Sequence, residues 1–206
     1  MISGPSLLVD FILRTCGVED IKTLVSEKWE EDTFAFNLPN PNSAAPQLSF
    51  TRVISESPNS NKKSDTVTYY TTPRVGLDLS HATAKPEAKN PRIQFVQRPY
   101  RFLVEPHLLK VNGRPQTFIG LLHHAEEKLR VVSWPYSQMD KSRILQNIAS
   151  IGGFSSSVTR NYLQHYETGI KGGSAKVASF CRMQGVTQSV EKLLQMFGAL
   201  RAAYAM

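Results

Sequence analysis

The last stretch of the chain, SVEKLLQMFGALRAAY, leaves the fold least freedom. Val190, Leu193, Leu194, Phe197 and Leu200 recur at steps of three and four, so a helix gathers them into one stripe while Glu191, Lys192 and Arg201 fall off it. A stripe of that width must be covered. The spacing therefore predicts a helix from about Ser189 to Tyr204, buried against the body of the protein or against a partner subunit. The same period governs the start of the chain. Leu7, Leu8, Phe11 and Ile12 share a face after Pro5, and Ile21, Leu24 and Val25 follow beyond Gly17, with Glu19 and Asp20 where a helix N-terminus favours negative charge.

Between these ends the pattern changes. From Trp29 to about Tyr136 the apolar residues fall in short runs separated by turn formers: DTFAFNL, QLSFTRVI, DTVTYYTT, RIQFVQ, YRFLVEPHLLKV, PQTFIGLL and KLRVVSW. Asn112-Gly113 reads as a two-residue hairpin turn, Pro115 as an edge position, and HHAEEK as the next loop. The expected fold class is α+β: an antiparallel β-sheet, a meander, flanked by N-terminal and C-terminal helices. One domain is expected, with N-terminal helices over 1–30, a sheet with long loops over 31–136, and a basic helical segment over 137–206. Residues 37–46 and 55–64, rich in Pro, Asn and Ser, are expected outside the core, and 73–91 reads as a connector.

Past Trp134-Pro135 helical spacing returns. Ser142 is a candidate cap for a helix through Ile144, Leu145 and Ile148 that ends at Gly152-Gly153. Ser155 to Ser157 can cap the next, which carries Val158, Tyr162 and Tyr166, and Gly172-Gly173 precede Ser174 and a short helix with Val177, Ala178 and Cys181.

Charge divides the chain unevenly. Residues 1–91 carry 9 Lys or Arg against 11 Asp or Glu, whereas residues 92–206 carry 15 against 6. The positive field is concentrated in the second part, and from 141 onward only Glu167 and Glu191 oppose it. Basic and aromatic residues interleave there in the manner that serves single-stranded nucleic acid, where cations follow phosphates and rings stack on bases. The candidate nucleic-acid-binding residues are Arg143, Arg160, Lys171, Ser174, Lys176 and Arg182. The expected partner is nucleic acid, RNA ahead of DNA, with protein partners or self-association through the C-terminal helix as the alternative use of the surface. The first reading suits a viral structural protein or an accessory subunit of a larger complex; the second suits an interaction subunit such as those of transcription complexes.

A third possibility lies in NIASIGGFSSSVTRNYLQHY, residues 147–166. Over about 20 residues this stretch resembles the helix-turn-helix of bacterial repressors, with Ala149 four positions before Gly153 and with Ile148 and Phe154 apolar where two helices would meet. It departs from that pattern at Thr159, where a buried aliphatic residue belongs, so an ordinary helical hairpin is the simpler expectation.

The sequence argues against catalysis. TGIKGGSAK, 168–176, lacks the P-loop order, because Lys176 does not follow a glycine and no Ser or Thr follows it. Ser155 to Ser157 lack a nucleophile elbow, and His81, His107, His123, His124 and His165 have no carboxylate or cysteine at chelating spacing. No catalytic residue, cofactor or metal is expected. Cys16 and Cys181 stand far apart, as free thiols of an intracellular protein do; Asp10 and Arg14 interrupt the first apolar run, so no membrane span is expected there, and without a basic start or a small-residue cleavage site no signal peptide is expected either.

Overall fold

A computed structural model describes residues 5–29, 68–80, 87, 89–109, 112–131, 134–184, 186 and 189–204. The chain divides into two compact units, Met1–Lys63 and Ser64–Met206. In the first, helix α1 (Pro5–Cys16) exposes Leu7, Leu8 and Phe11. A second helical turn, α2 (Ile21–Thr23), runs on into a π-helical stretch, Leu24–Lys28. Asp20 caps it, Oδ1 accepting from Thr23 N at 2.9 Å and Oδ2 from the Thr23 hydroxyl at 2.8 Å.

The second unit is helical where a sheet was expected. Among the described residues 69% are helix and 4% strand, so the α+β meander is overturned. The elements are β1 (Tyr70–Thr72), α3 (Pro91–Gln97), β2 (Arg101–Leu103), a 3-10 turn (Pro106–Leu108), α4 (Arg114–Leu129), α5 (Gln138–Gly152), α6 (Ser156–Arg182) and α7 (Val190–Ala203). The strands form one antiparallel ribbon, pairing Tyr70 with Leu103, Thr71 with Phe102 and Thr72 with Arg101. No described helix is long and apolar enough to cross a membrane.

Each misread run has a local cause. RIQFVQ is α3, because Asn90 accepts from Arg92 N at 2.9 Å, Pro91 fits the first turn, and Ile93 and Val96 are buried three positions apart. PQTFIGLL and HHAEEK together are α4. Gly113 takes the left-handed conformation (φ 77°) ahead of the helix, Pro115 lies in its first turn, and Arg130 ends it at φ 54°. Phe118, Leu121, Leu122, Ala125 and Leu129 follow the helical period, which is visible only when the segment is not cut between Leu122 and His123. KLRVVSW contributes Lys128 and Leu129 to that helix, and YRFLVEPHLLKV is strand only over β2 before the 3-10 turn. DTFAFNL, QLSFTRVI and the stretches 37–46 and 55–64 lie outside the described residues.

The C-terminal helices stand close to where the spacing puts them. Ser137, Ser155 and Ser189 cap α5, α6 and α7 with their side chains, and Gly153 closes α5 at φ 59°. The α5 cap thus lies five positions before Ser142, whose hydroxyl instead donates to Gln138 O at 2.9 Å within the helix. Leu193, Leu194, Phe197 and Leu200 are buried in this chain's own core, so their stripe is not a free surface for self-association.

What brings α6 and α7 together is a pair of glycines. A Cβ on Gly169 would lie 2.0 Å from Gln195 O, and one on Gly198 would lie 2.0 Å from Tyr166 O. The helices therefore run antiparallel with main chain against main chain, an approach closed to any residue with a side chain. Beside this contact Tyr166 is fully buried. Arg201 Nη1 donates to Glu126 Oε1 at 2.6 Å and reaches the Tyr166 hydroxyl oxygen at 3.5 Å, while the Tyr136 hydroxyl donates to the same carboxylate oxygen. One polar network thus ties α4, α6 and α7 together, with both charges of its ion pair mostly withdrawn from water.

Two outcomes follow from this packing. Gly198→Ala should lower unfolding stability by about 2 kcal/mol or more, since its methyl group must push two helix backbones apart; an unchanged urea midpoint contradicts the close contact. Burial pushes the Tyr166 hydroxyl up to about 12 from an ordinary value near 10.0, and the unfolded chain therefore gives up this proton first. The stabilisation is complete below about pH 10 and is lost as pH rises toward about 12. Tyr166→Phe should flatten the alkaline fall of stability over that window; a fall as steep as in the wild type contradicts it.

Candidate nucleic-acid interface

The turn between α5 and α6 is built around Arg114. Its Nη1 donates to Leu109 O at 2.9 Å and Gly152 O at 3.3 Å, and its guanidinium carbon stands 3.9 Å over the Phe154 ring. The cation satisfies a carbonyl at the negative end of α5 while its plane covers an aromatic face. Phe118, Phe154 and Tyr162 meet edge to face at 5.5 to 6.3 Å. Phe154, Tyr166 and Phe180 are buried in the core and Tyr162 is packed against it, so the rings that interleave with the C-terminal cations in sequence do not form a stacking surface.

The cations themselves are on the outside. Arg160, Lys171 and Arg182 are exposed on α6, Ser174 is exposed, and Lys176 is partly buried, its stem lying against Gly172. Among the described residues none of Arg160, Lys171, Lys176 and Arg182 has a carboxylate within 4.0 Å. Arg160 Nε donates to Ser156 O at 3.1 Å, which holds its stem along the helix. Arg160 and Lys171 are eleven positions apart, three turns, and so lie on one face about 16 Å from each other. Glu167 sits between them on the same face, where Lys141 of α5 takes it at 2.8 Å. Arg143, on α5, pairs with Asp140 at 3.9 Å and stands apart from the α6 group in sequence and element. After Lys171 the helix breaks at Gly173 (φ 49°, ψ −143°), so Ser174, Lys176 and Arg182 belong to a restarted segment.

The stretch resembling a helix-turn-helix has a burial pattern of its own. Ile148, Gly152, Phe154 and Thr159 are buried, while Ser156, Ser157, Arg160, Asn161 and Gln164 are exposed. Thr159 occupies the aliphatic position because its hydroxyl donates to Ser155 O at 3.2 Å and Ser156 O at 3.1 Å, which satisfies the polar group inside the helix. The helix it opens runs for 27 residues and makes its most extensive contact with α7.

A cleft of about 410 Å3 lies where the ribbon meets α4. Tyr70 and Thr71 form one wall, His123, His124 and Glu127 the other, and Gln97 closes an end. His123 and His124 are thus on a helix rather than in the hairpin loop expected of HHAEEK. The His124 ring meets Tyr70 edge to face at 5.0 Å. Among the described residues no three His, Cys, Asp or Glu side chains are grouped to hold a metal ion, and His81 lies outside them.

Sequence reasoning missed the outward face of the ribbon. Tyr100, Phe102 and Val104 alternate with Arg101 and Leu103, and the first three are exposed, Phe102 by 68%. Tyr69, 66% exposed, meets Phe102 at 6.4 Å, and Phe95 meets Tyr100 at 6.2 Å. The alternation was the available signal, but in a meander these rings would have been core.

Comparison with protein-family models, with curated proteins and with solved structures finds no match for this chain.

The placement of Glu167 has a measurable consequence. Glu167→Gln removes an acid from the cationic face and releases Lys141, so the variant should elute from a heparin column at higher salt than the wild type. Elution at the same or lower salt contradicts the field described here.

Proposed function

We propose that this chain is a non-enzymatic nucleic-acid-binding protein that engages the phosphate backbone without strong sequence readout, RNA ahead of DNA, within a larger assembly inside the cell. The observation that carries the reading is the set of unpaired cations on α6: Arg160, Lys171, Lys176 and Arg182 have no carboxylate within 4.0 Å among the described residues. Cations without acidic partners along α6 and its restarted segment raise the local potential, and a polyanion lowers it while its counterions are released to solvent. Ser174 adds a hydroxyl donor beside the Gly173 break, and Arg143 contributes from α5 only where its contact with Asp140 opens. A role confined to protein docking gains less support, because the apolar stripe of α7 is already used inside the chain.

The burial pattern of 147–166 favours a second reading, in which the first turns of α6 present Ser156, Ser157, Arg160, Asn161 and Gln164 to a DNA major groove. In that case Arg160→Ala relaxes the preference among DNA sequences selected by the protein and leaves binding to random duplex largely intact.

The main reading is tested by measuring affinity for RNA as a function of salt. Changing Arg160, Lys171, Lys176 and Arg182 to Ala should weaken binding and make the salt slope shallower by up to about 3, since each phosphate contact contributes roughly 0.7 to 0.9. Wild-type protein that binds neither single-stranded RNA nor random duplex DNA at about 50 mM salt defeats it.

A further inference from the structure

The β-ribbon packs one face on α4 and leaves the other bare. Gly120 of α4 permits this seating, because a Cβ there would lie 2.3 Å from Thr71 O. Thr72 is buried on the inner side, and Arg101 is held there by Gly113 O at 3.3 Å and the Thr117 hydroxyl at 3.2 Å. Period two then sends Tyr69, Tyr100, Phe102 and Val104 outward, each more than half exposed. Exposed aromatic groups in such number mark a surface with a use.

Its surroundings say what kind. Residues 68–77 and 91–104, which supply the ribbon and α3, contain Arg74, Arg92, Arg98 and Arg101 and no acidic residue. Arg74 and Arg98 are exposed beside the strands, Arg92 is paired with Asp78 at 3.8 Å, and Arg101 is held inward. The acids adjoining these segments are Asp78, which Arg92 takes, Glu105, beyond Val104, and Glu127 in the cleft. Rings flanked by arginines suit unpaired bases joined by phosphates better than an apolar protein surface, which would leave those charges desolvated. The ribbon also runs toward the cationic helix. Five residues after Phe102, at most about 18 Å of chain, His107 stands against Gly153 at the α5–α6 turn, where a Cβ on the glycine would be 3.1 Å from the His107 Cβ. At the ribbon's other side the cleft contains Gln97, whose Nε2 is buried with no hydrogen-bond partner among the described residues. Buried donors are almost always paired, and this one, shielded from solvent, reaches a base carbonyl only if the Gln97 side chain turns into the cleft.

We infer that the outward face of the ribbon is a stacking platform for single-stranded nucleic acid, with Tyr69 and Phe102 as its principal rings and the adjoining cleft receiving one unpaired base. The inference rests on the nucleic-acid reading above and adds the strandedness of the ligand: phosphates go to α6, and only a strand with free bases also engages the ribbon.

The test compares wild type with Tyr69→Ala/Phe102→Ala, both exposed positions, using a single-stranded RNA of about 12 nucleotides and the duplex of the same sequence, with circular dichroism to confirm an intact fold. The inference expects the variant to lose about ten-fold or more in affinity for the single strand, to change by less than about two-fold for the duplex, and to keep the wild-type salt slope. Equal losses for both ligands, or no loss for the single strand, overturn the platform while leaving the α6 reading in place as long as wild type binds. Unchanged RNA affinity with an altered solution mass identifies the face as a protein contact and overturns the platform too. Wild-type protein that binds neither ligand removes the reading beneath it.

Discussion

The close contact of α6 with α7 at Gly169 and Gly198 is the constraint on which the helical unit depends. Main chain meets main chain there, with Gly198 under Tyr166 O and Gly169 under Gln195 O. Two helices that near each other present a narrow seam, and the side chains on either side of it, Leu163, Tyr166, Val177 and Phe180 from one and Leu194, Phe197 and Leu200 from the other, are driven into the common core. The polar residues that remain in the interior must then satisfy one another. Glu126, Arg201, Tyr136 and Tyr166 do so as a group, which fixes α4 relative to the pair and makes the network as much a specification of arrangement as a source of stability.

With its large apolar residues committed to that seam, α6 leaves mostly polar and basic groups for solvent. The field on its outer side therefore follows from packing, with Glu167 and Lys141 cancelling locally and the remaining cations unopposed. A third glycine, Gly120, repeats the device on α4 by letting the ribbon settle onto the helix backbone. Once Tyr70 and Thr72 are used against α4, nothing in the ribbon's own packing requires the rings on its far side. We assign those rings to an external ligand, whose charge the arginines around them would set.

How much of this was legible in the sequence depended on the length of the pattern. The α7 stripe spans three turns and carries its own serine cap, and α5 and α6 are delimited by Gly153 and Ser155, so each could be placed to within a few residues. The middle of the chain failed because its local signals are ambiguous. Thr117, Phe118 and Ile119 favour strands when taken alone, and Asn112-Gly113 resembles a hairpin turn, yet the same Asn-Gly-Arg-Pro run starts a helix when Pro115 occupies the first turn. The 16 residues of α4 outvote the propensity of any three, through burial of Phe118, Leu121, Leu122 and Ala125 on one side. The cationic part of the candidate interface was legible because charge needs no fold to be counted. The aromatic part was not, since whether Phe102 faces core or solvent is decided by which side of the ribbon α4 covers. The buried state of Tyr166 and Phe180 shows the converse error, rings counted as a surface that the fold consumes.

Hydrogen–deuterium exchange of the full chain with and without a single-stranded RNA oligonucleotide tests the central claim most directly. The account predicts that the RNA slows exchange at the ribbon, 69–72 and 100–104, and around the α6 break, 171–176, while the α7 core, already protected by packing, is unchanged. Slowed exchange confined to other segments, or none at an RNA concentration that saturates binding, contradicts it.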